Sequence, residues 1–275
     1  MGRVEAKVAL VTGAARGQGR SHALRLAEEG ADIIALDICA QIDSVPFAMS
    51  TPDNLQETVK LVEEYGRRIV AREADVRDFE QVQAVTAEGL AEFGHIDILV
   101  SNAGVAVYAT GWEMTEAQWQ DTLQTNLTGS WHAAKAVIPS MIEQGSGSIV
   151  MIGSTASLKA FKNCLSYTAA KHGLLGVVRG LAMELAPYMI RVNAVLPTDV
   201  NTPMLQNPET YALFCPGKEN VTLEEFGAVA GSHNALPVDW VEPLDVSNAV
   251  LWLASDESRY VTGIDLPVDA GALQK

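Results

Sequence analysis

Seven short apolar runs rich in β-branched residues recur along the chain, at 8–12, 33–37, 69–71, 97–101, 148–153, 190–196 and 263–269, and segments with helical spacing separate most of them. A run that is apolar at every position belongs to a strand buried on both faces. Such strands alternating with helices make right-handed βαβ crossovers and a parallel sheet covered on both sides. The spacing predicts helices near 19–29, 54–65, 78–93, 115–143 (in one piece or two), 165–186 and 245–254. The expected fold class is α/β, a doubly wound parallel sheet of Rossmann type in a single domain over residues 1–275. Two stretches exceed what that plan needs. Residues 38–53 have no clear period and read as an inserted loop; residues 199–243 carry five of the eleven prolines and read as a lid over a substrate.

Composition removes several function classes. Hydrophobic residues make up 48% of the chain and charged residues 19%, enough apolar material for a full core. Nineteen basic residues against 34 acidic ones give a net charge of -15, which repels phosphate backbones and anionic lipid, so neither nucleic acid nor a membrane is expected as a partner. No run is apolar enough to span a bilayer. The N-terminus enters an apolar run at once, unlike a signal peptide, and Ala6 stands where a myristoylation signal beginning at Gly2 needs Ser or Thr. Cys39, Cys164 and Cys215 are widely spaced and form no CxxC pair, as in a reducing compartment. A cytoplasmic protein with no metal site is expected.

The first run ends in Thr12-Gly13-Ala14-Ala15-Arg16-Gly17-Gln18-Gly19. Glycines between a strand and a helix let backbone N–H groups approach a ligand closely, and the helix start adds its positive dipole end. A pyrophosphate is held there by neutral donors, which an acidic protein can supply. The spacing GxxxGxG is not the commonest dinucleotide fingerprint, and alone it also describes a tight strand–helix connection. Asp37 ends the second run, where a carboxylate accepts ribose hydroxyls and repels a 2′-phosphate; this favours NAD over NADP. Arg16 works the other way, since it can neutralise a 2′-phosphate. Asp75-Val76 follows the third run, with Asp75 expected to meet the adenine amino group. Asn102-Ala103-Gly104 follows the fourth; Gly104 permits close approach and Asn102 can tie neighbouring strand ends.

Tyr167 and Lys171 are four apart in a predicted helix, hence on one face. An ammonium nearby, or a positively charged nicotinamide, favours phenolate, so Tyr167 can take a proton from an alcohol or return it to a carbonyl oxygen. Ser154, just past the fifth run, can share the substrate oxygen. Asn126 lies mid-helix beside Gly129, where a local kink can hold a water that links Lys171 to solvent. Each of these signals alone has a bland counterpart: an exposed helix pair, a turn serine, a stray asparagine. No GxSxG elbow and no histidine with an obvious carboxylate partner supports a hydrolase. Trp112, Trp119 and Trp131 read as packing or interface residues.

Taken together, TGxxxGxG, Asp37, Asp75-Val76, Asn-Ala-Gly, Asn126, Ser154, YxxxK and the closing Thr262-Gly263 and Val268-Asp269-Ala270-Gly271 resemble the short-chain dehydrogenase/reductase family over almost the whole length. The resemblance implies an NAD(P)-dependent enzyme with Ser154, Tyr167, Lys171 and Asn126 as its catalytic tetrad. It also implies that Thr202 holds the nicotinamide carboxamide, that Ile38, Pro197, Thr198 and Val200 join Gly13, Arg16, Gly17, Gln18 and Gly19 in contacting the cofactor, and that the chain forms a homotetramer. Ser101 and Thr198 depart from the family pattern, which usually has Asn and Gly there. The insertion at 38–53, Gly17 to His22 and Pro197-Thr198 resemble its mycofactocin-coupled, carveol dehydrogenase-like branch. That likeness implies NAD held too firmly to exchange, and electrons leaving through a redox peptide cofactor, mycofactocin. The function implied is oxidation of a small apolar or terpenoid-like secondary alcohol to a ketone. An NADPH-dependent carbonyl reductase and a non-catalytic NAD-binding sensor stay open as alternatives.

Overall fold

A computed structural model describes residues 2–275; Met1, part of the N-terminal reading above, lies outside them. The seven apolar runs are the seven strands of one sheet: β1 (Val8–Thr12), β2 (Asp32–Asp37), β3 (Ile69–Glu73), β4 (Ile98–Ser101), β5 (Gly147–Ile152), β6 (Ile190–Pro197) and β7 (Asp265–Val268). Their order is β3-β2-β1-β4-β5-β6-β7, and every neighbouring pair is parallel. Among the described residues the α-helices are α1 (Gly17–Glu28), α2 (Pro52–Glu64), α3 (Phe79–Phe93), α4 (Glu116–Leu123), α5 (Gly129–Gln144), α6 (Leu165–Leu185), α7 (Pro208–Phe214), α8 (Leu223–Gly231) and α9 (Pro243–Ala254).

Side chains alternate across each central strand, and both faces are buried. Leu10, Ile34 and Leu99 enter one apolar layer with Val137 of α5 and Leu174 and Val178 of α6. Ala9, Val11, Ile33 and Val100 enter the other with Ala23 and Leu26 of α1 and Val250 of α9. That two-sided burial explains why the central strands read as unbroken apolar runs. The outer strand β3 ends in Arg72 and Glu73, which are exposed. The chain leaves β1 toward one side of the sheet and β4 toward the other, so a crevice opens at their C-terminal ends.

The stretch 115–143 departs from one regular helix. Gln124–Thr128 is a π-helical turn between α4 and α5, at the Asn126 position where a kink was expected. Residues 199–243, which show little periodicity, nevertheless contain α7 and α8. Both are short and start at side-chain caps, Asn207 and Thr222. Phe226 packs there between Tyr211 and Trp240, forming a small core of its own.

His22 lies wholly buried between α1 and α9, with Nδ1 2.8 Å from Ser247 Oγ. Burial pushes its imidazole down from 6.5 to about 3. The unfolded chain therefore takes a proton below pH 6.5 that the folded chain refuses, and stability falls as pH drops from 6.5 toward 3. We expect His22→Asn to remove about 2 kcal/mol of the stability lost between pH 7 and pH 5. Urea denaturation of both proteins at the two pH values measures this; equal pH sensitivity would exclude His22 as its source.

Candidate active site

The crevice at the ends of β1, β2 and β4 is built on Thr12 and Asn102. Thr12 Oγ1 accepts from the backbone N–H groups of Asn102 and Ala103, both at 3.0 Å. Asn102 Nδ2 donates to the carbonyls of Thr12 (3.0 Å) and Gly13 (3.3 Å), which ties the two strand ends together as the sequence predicts. Gly13 turns the chain with φ +67°, a left-handed conformation. Gly19 serves packing: a Cβ there would lie 1.9 Å from the Gly13 carbonyl oxygen. It does not line the crevice, whereas Gly13, Arg16, Gly17 and Gln18 do so directly.

At this spot α1 begins without a side-chain cap, unlike α2, α3 and α4. Its first-turn N–H groups are left for an anion. Gln18 Oε1 is buried without a partner among the described residues and borders both parts of the crevice. The uncapped helix start fits the phosphates of a dinucleotide, whereas the Gln18 amide oxygen calls for a hydrogen-bond donor.

Asp37 lies at the crevice edge, and the chain already uses much of its capacity. Ala15 N–H donates to Oδ2 at 2.9 Å, while Cys39 N–H and the Ser50 hydroxyl donate to Oδ1. A ribose meets mainly the remaining face of Oδ2, rather than a bare carboxylate. Arg16 is engaged elsewhere than expected: its guanidinium donates to the Ala48 carbonyl of the insertion. Asp75 also has a partner, since Arg77 Nε donates to both of its oxygens at 3.1 and 2.8 Å. Ala74, Asp75 and Val76 still line the crevice beside Ile38, Ala103 and Gly104.

The insertion is ordered by its own contacts, and α2 takes over at Pro52. Gln41 Nε2 reaches the carbonyls of Ile42, Val45 and Phe47, and Met49 N–H donates back to Gln41 Oε1. Ile42, Val45 and Phe47 pack on Val105 and Val107, with Met204 from the far side. Ser44 donates to Asp121 (2.7 Å), which also pairs with Arg77 (2.6 Å). The insertion thus roofs the end of the crevice that holds Asp37.

The crevice continues through Asn102, Gly104, Thr202 and Met204 into a larger cavity of about 460 Å³. Ser154, Tyr167, Lys171, Pro197, Thr198, Val200 and Thr202 all line it. Lys171 is buried, its Nζ donates to the Ile152 carbonyl at 2.7 Å, and it lies 5.5 Å from the Tyr167 ring centroid. Burial lowers Lys171 to about 8. Burial also raises Tyr167 above the usual phenol range, with the Ser154 hydroxyl pulling it back down through a hydrogen bond. Desolvation, which the sequence reading did not consider, is therefore the largest influence of the protein itself on the phenol. Ser154 Oγ in addition accepts from Ala156 N–H at 3.1 Å.

Asn126 does not line the cavity. Its Oδ1 accepts from Val105 N–H and its Nδ2 donates to the Val105 carbonyl, each at 2.8 Å. It clasps the strand exit, and α6 packs against the π-turn that carries it. Tyr108 and Asp199 also line the cavity and were not anticipated. Neither belongs to a spacing motif, and only the path of the 105–111 loop brings Tyr108 to Thr210, 3.3 Å away. Among the described residues no cluster could hold a metal, and no helix is long and apolar enough to cross a membrane.

The profile of the short chain dehydrogenases matches residues 7–211, and the chain belongs to that family. It is 48% identical to the (-)-trans-carveol dehydrogenase of Rhodococcus erythropolis across 100% of both chains. Among solved structures, the carveol dehydrogenase of Mycobacterium avium, in complex with NAD, superposes with a TM-score of 0.99 at 51% identity, over 100% of each chain. A short chain dehydrogenase of Mycobacterium paratuberculosis bound to NAD superposes at 0.92 with 43% identity, again over 100% of each.

Replacing Asn126 by Ala strands the Val105 N–H and carbonyl in a buried setting. We expect Asn126→Ala to cost about 2–4 kcal/mol of unfolding free energy. Urea denaturation measures this; a loss below about 0.5 kcal/mol would mean that water replaces the clasp.

Proposed function

We propose that the chain is an NAD-dependent dehydrogenase that oxidises a small, largely apolar secondary alcohol to a ketone. The observation that carries this reading is the convergence of Tyr167, Ser154 and Lys171 on one cavity that continues into a phosphate-binding crevice. The carveol dehydrogenases that the chain resembles support the substrate class and the cofactor. Gly13, Gly17, Gln18 and the start of α1 would hold the pyrophosphate, and Asp37 the adenosine ribose. Ile38, Asp75, Val76, Asn102, Ala103 and Gly104 would line the adenosine half; Pro197, Thr198, Val200 and Thr202 would flank the nicotinamide. The Asp37 carboxylate and the engagement of Arg16 with Ala48 favour NAD over NADP.

When bound, NAD supplies an acceptor for the carbinol hydrogen with its electron pair, together with a positive charge that favours phenolate. Tyr167 takes the alcohol proton as general base. Ser154 shares the substrate oxygen and steadies charge on it. Lys171, held by the Ile152 carbonyl, keeps a cation beside the phenol and passes the proton toward solvent by way of a water at the π-turn of Asn126. The dry setting raises Tyr167 and lowers Lys171, which drives their proton affinities apart, so the positive charge of bound NAD would be needed to bring the phenol back within reach of a proton transfer.

The insertion at 38–53 and the lid at 199–243 meet at Met204, so both would have to part before the dinucleotide leaves. This supports NAD held through successive turnovers and reoxidised in place, with a redox peptide cofactor of the mycofactocin kind as electron acceptor. A homotetramer is the assembly we infer, from the family resemblance and from the exposed Trp131, Leu165 and Met183 on α5 and α6. The three unpaired cysteines support a cytoplasmic setting.

Tyr167→Phe is expected to lower turnover of a secondary alcohol, assayed with an artificial acceptor dye, by about 10³-fold while NAD binding persists. An active Phe variant would remove Tyr167 from the mechanism. Asp37→Ala should cut the preference for NADH over NADPH at least about tenfold in direct binding. Protein purified without added nucleotide should release NAD on denaturation; a nucleotide-free preparation that works with freely added NAD would refute retention.

A further inference from the structure

The substrate cavity holds an acid that the proposed chemistry leaves unused. Asp199 follows the end of β6, and its backbone is fixed, because its carbonyl accepts from Val241 N–H at 3.0 Å and Val200 bridges to Val241. Its side chain borders the cavity beside Tyr108, Cys164 and Tyr167, each of which feels its charge. Among the described residues no group donates a hydrogen bond to the carboxylate and no cation pairs with it. The cations that share the cavity wall are engaged or outlying. Lys171 donates to the Ile152 carbonyl, Lys159 to the Ala272 carbonyl at 2.8 Å, and Lys162 is exposed. Tyr108 has Thr210 as its partner. The remaining wall includes Leu205, Leu213, Phe214 and Val229.

A carboxylate turned toward such a cavity is costly unless the occupant supplies a donor. Burial raises its pKa only to about 6, so it is mostly ionised at neutral pH. A purely hydrocarbon alcohol would set methylene groups against that charge. An alcohol with a second hydroxyl would satisfy it, and a hydrogen bond to a charged acceptor is among the stronger ones.

We propose that Asp199 is a specificity residue that accepts a hydrogen bond from a second hydroxyl of the substrate, so that the preferred substrates are diols rather than simple alkanols. The inference rests on the reading of this cavity as the alcohol site. It differs from that reading in naming a second recognition group in the cavity, besides Ser154 and Tyr167.

The test compares trans-1,4-cyclohexanediol with 4-methylcyclohexanol, which replaces the second hydroxyl by a methyl group of similar size. kcat/KM is measured with the acceptor dye for the wild-type protein, Asp199→Leu and Asp199→Asn. We expect the wild-type protein to favour the diol by about 30-fold, Asp199→Leu to abolish or reverse that preference, and Asp199→Asn to retain part of it. A diol preference that stays unchanged in both variants, or is absent in the wild-type protein, overturns the role of Asp199. Failure of the wild-type protein to turn over any secondary alcohol would overturn the dehydrogenase reading instead. Calorimetric binding of the two compounds then decides the Asp199 role: diol affinity lost in Asp199→Leu upholds it, and equal affinity overturns it.

Discussion

The parting of β1 from β4 is the constraint on which the rest of the site depends. Two parallel strands whose connections leave toward opposite faces must open a crevice at their C-terminal ends. Thr12 and Asn102 keep that crevice from gaping, through four hydrogen bonds that join the strand ends and the glycine turn. Each other site element takes its position from this frame. The start of α1 points into it, Asp37 closes one end, and α6 brings Tyr167 and Lys171 to the other. Asn126 adds a clasp from below, by holding both backbone polar groups of Val105 where the chain leaves the sheet.

Most of the fold was legible because both faces of the sheet are buried. That condition writes itself into sequence as continuous apolar runs, and each run became a strand within a few residues of its predicted limits. The edge position of β3 was not read from the sequence, although Arg72 and Glu73 carry charge where the strand runs out of neighbours. The α7 and α8 helices were not, since each is shorter than a period analysis can resolve, and their caps only gain meaning once Phe226 is seen to hold them together. The insertion was recognisable as excess length, but its internal order, wound around Gln41, depends on one amide reaching three carbonyls.

The site residues divide in a similar way. Gly13, Asp37, Ser154, Tyr167 and Lys171 stand at strand ends or at helical spacing, so position along the chain is enough to bring them together. Partners are another matter. That Arg77 occupies Asp75, that Ala48 occupies Arg16, and that Ser50 and Cys39 share Asp37 are consequences of where loops fold back. Nor does a sequence report how dry a cavity is. The ammonium beside Tyr167 was foreseen, but the burial that dominates both groups follows from how α6 packs on the sheet.

The chain of contacts from Ser44 through Asp121 and Arg77 to Asp75 fastens the insertion to the Asp37 end of the crevice. Trimming the insertion would therefore do more than uncover the groove. It would strip Asp121 of its hydroxyl donor and Asp37 of Ser50, and leave the Arg16 guanidinium without its carbonyl. A shortened variant would need compensating changes at three separated positions, so this loop is better regarded as a keystone of the Asp37 end of the crevice than as an appendage to it.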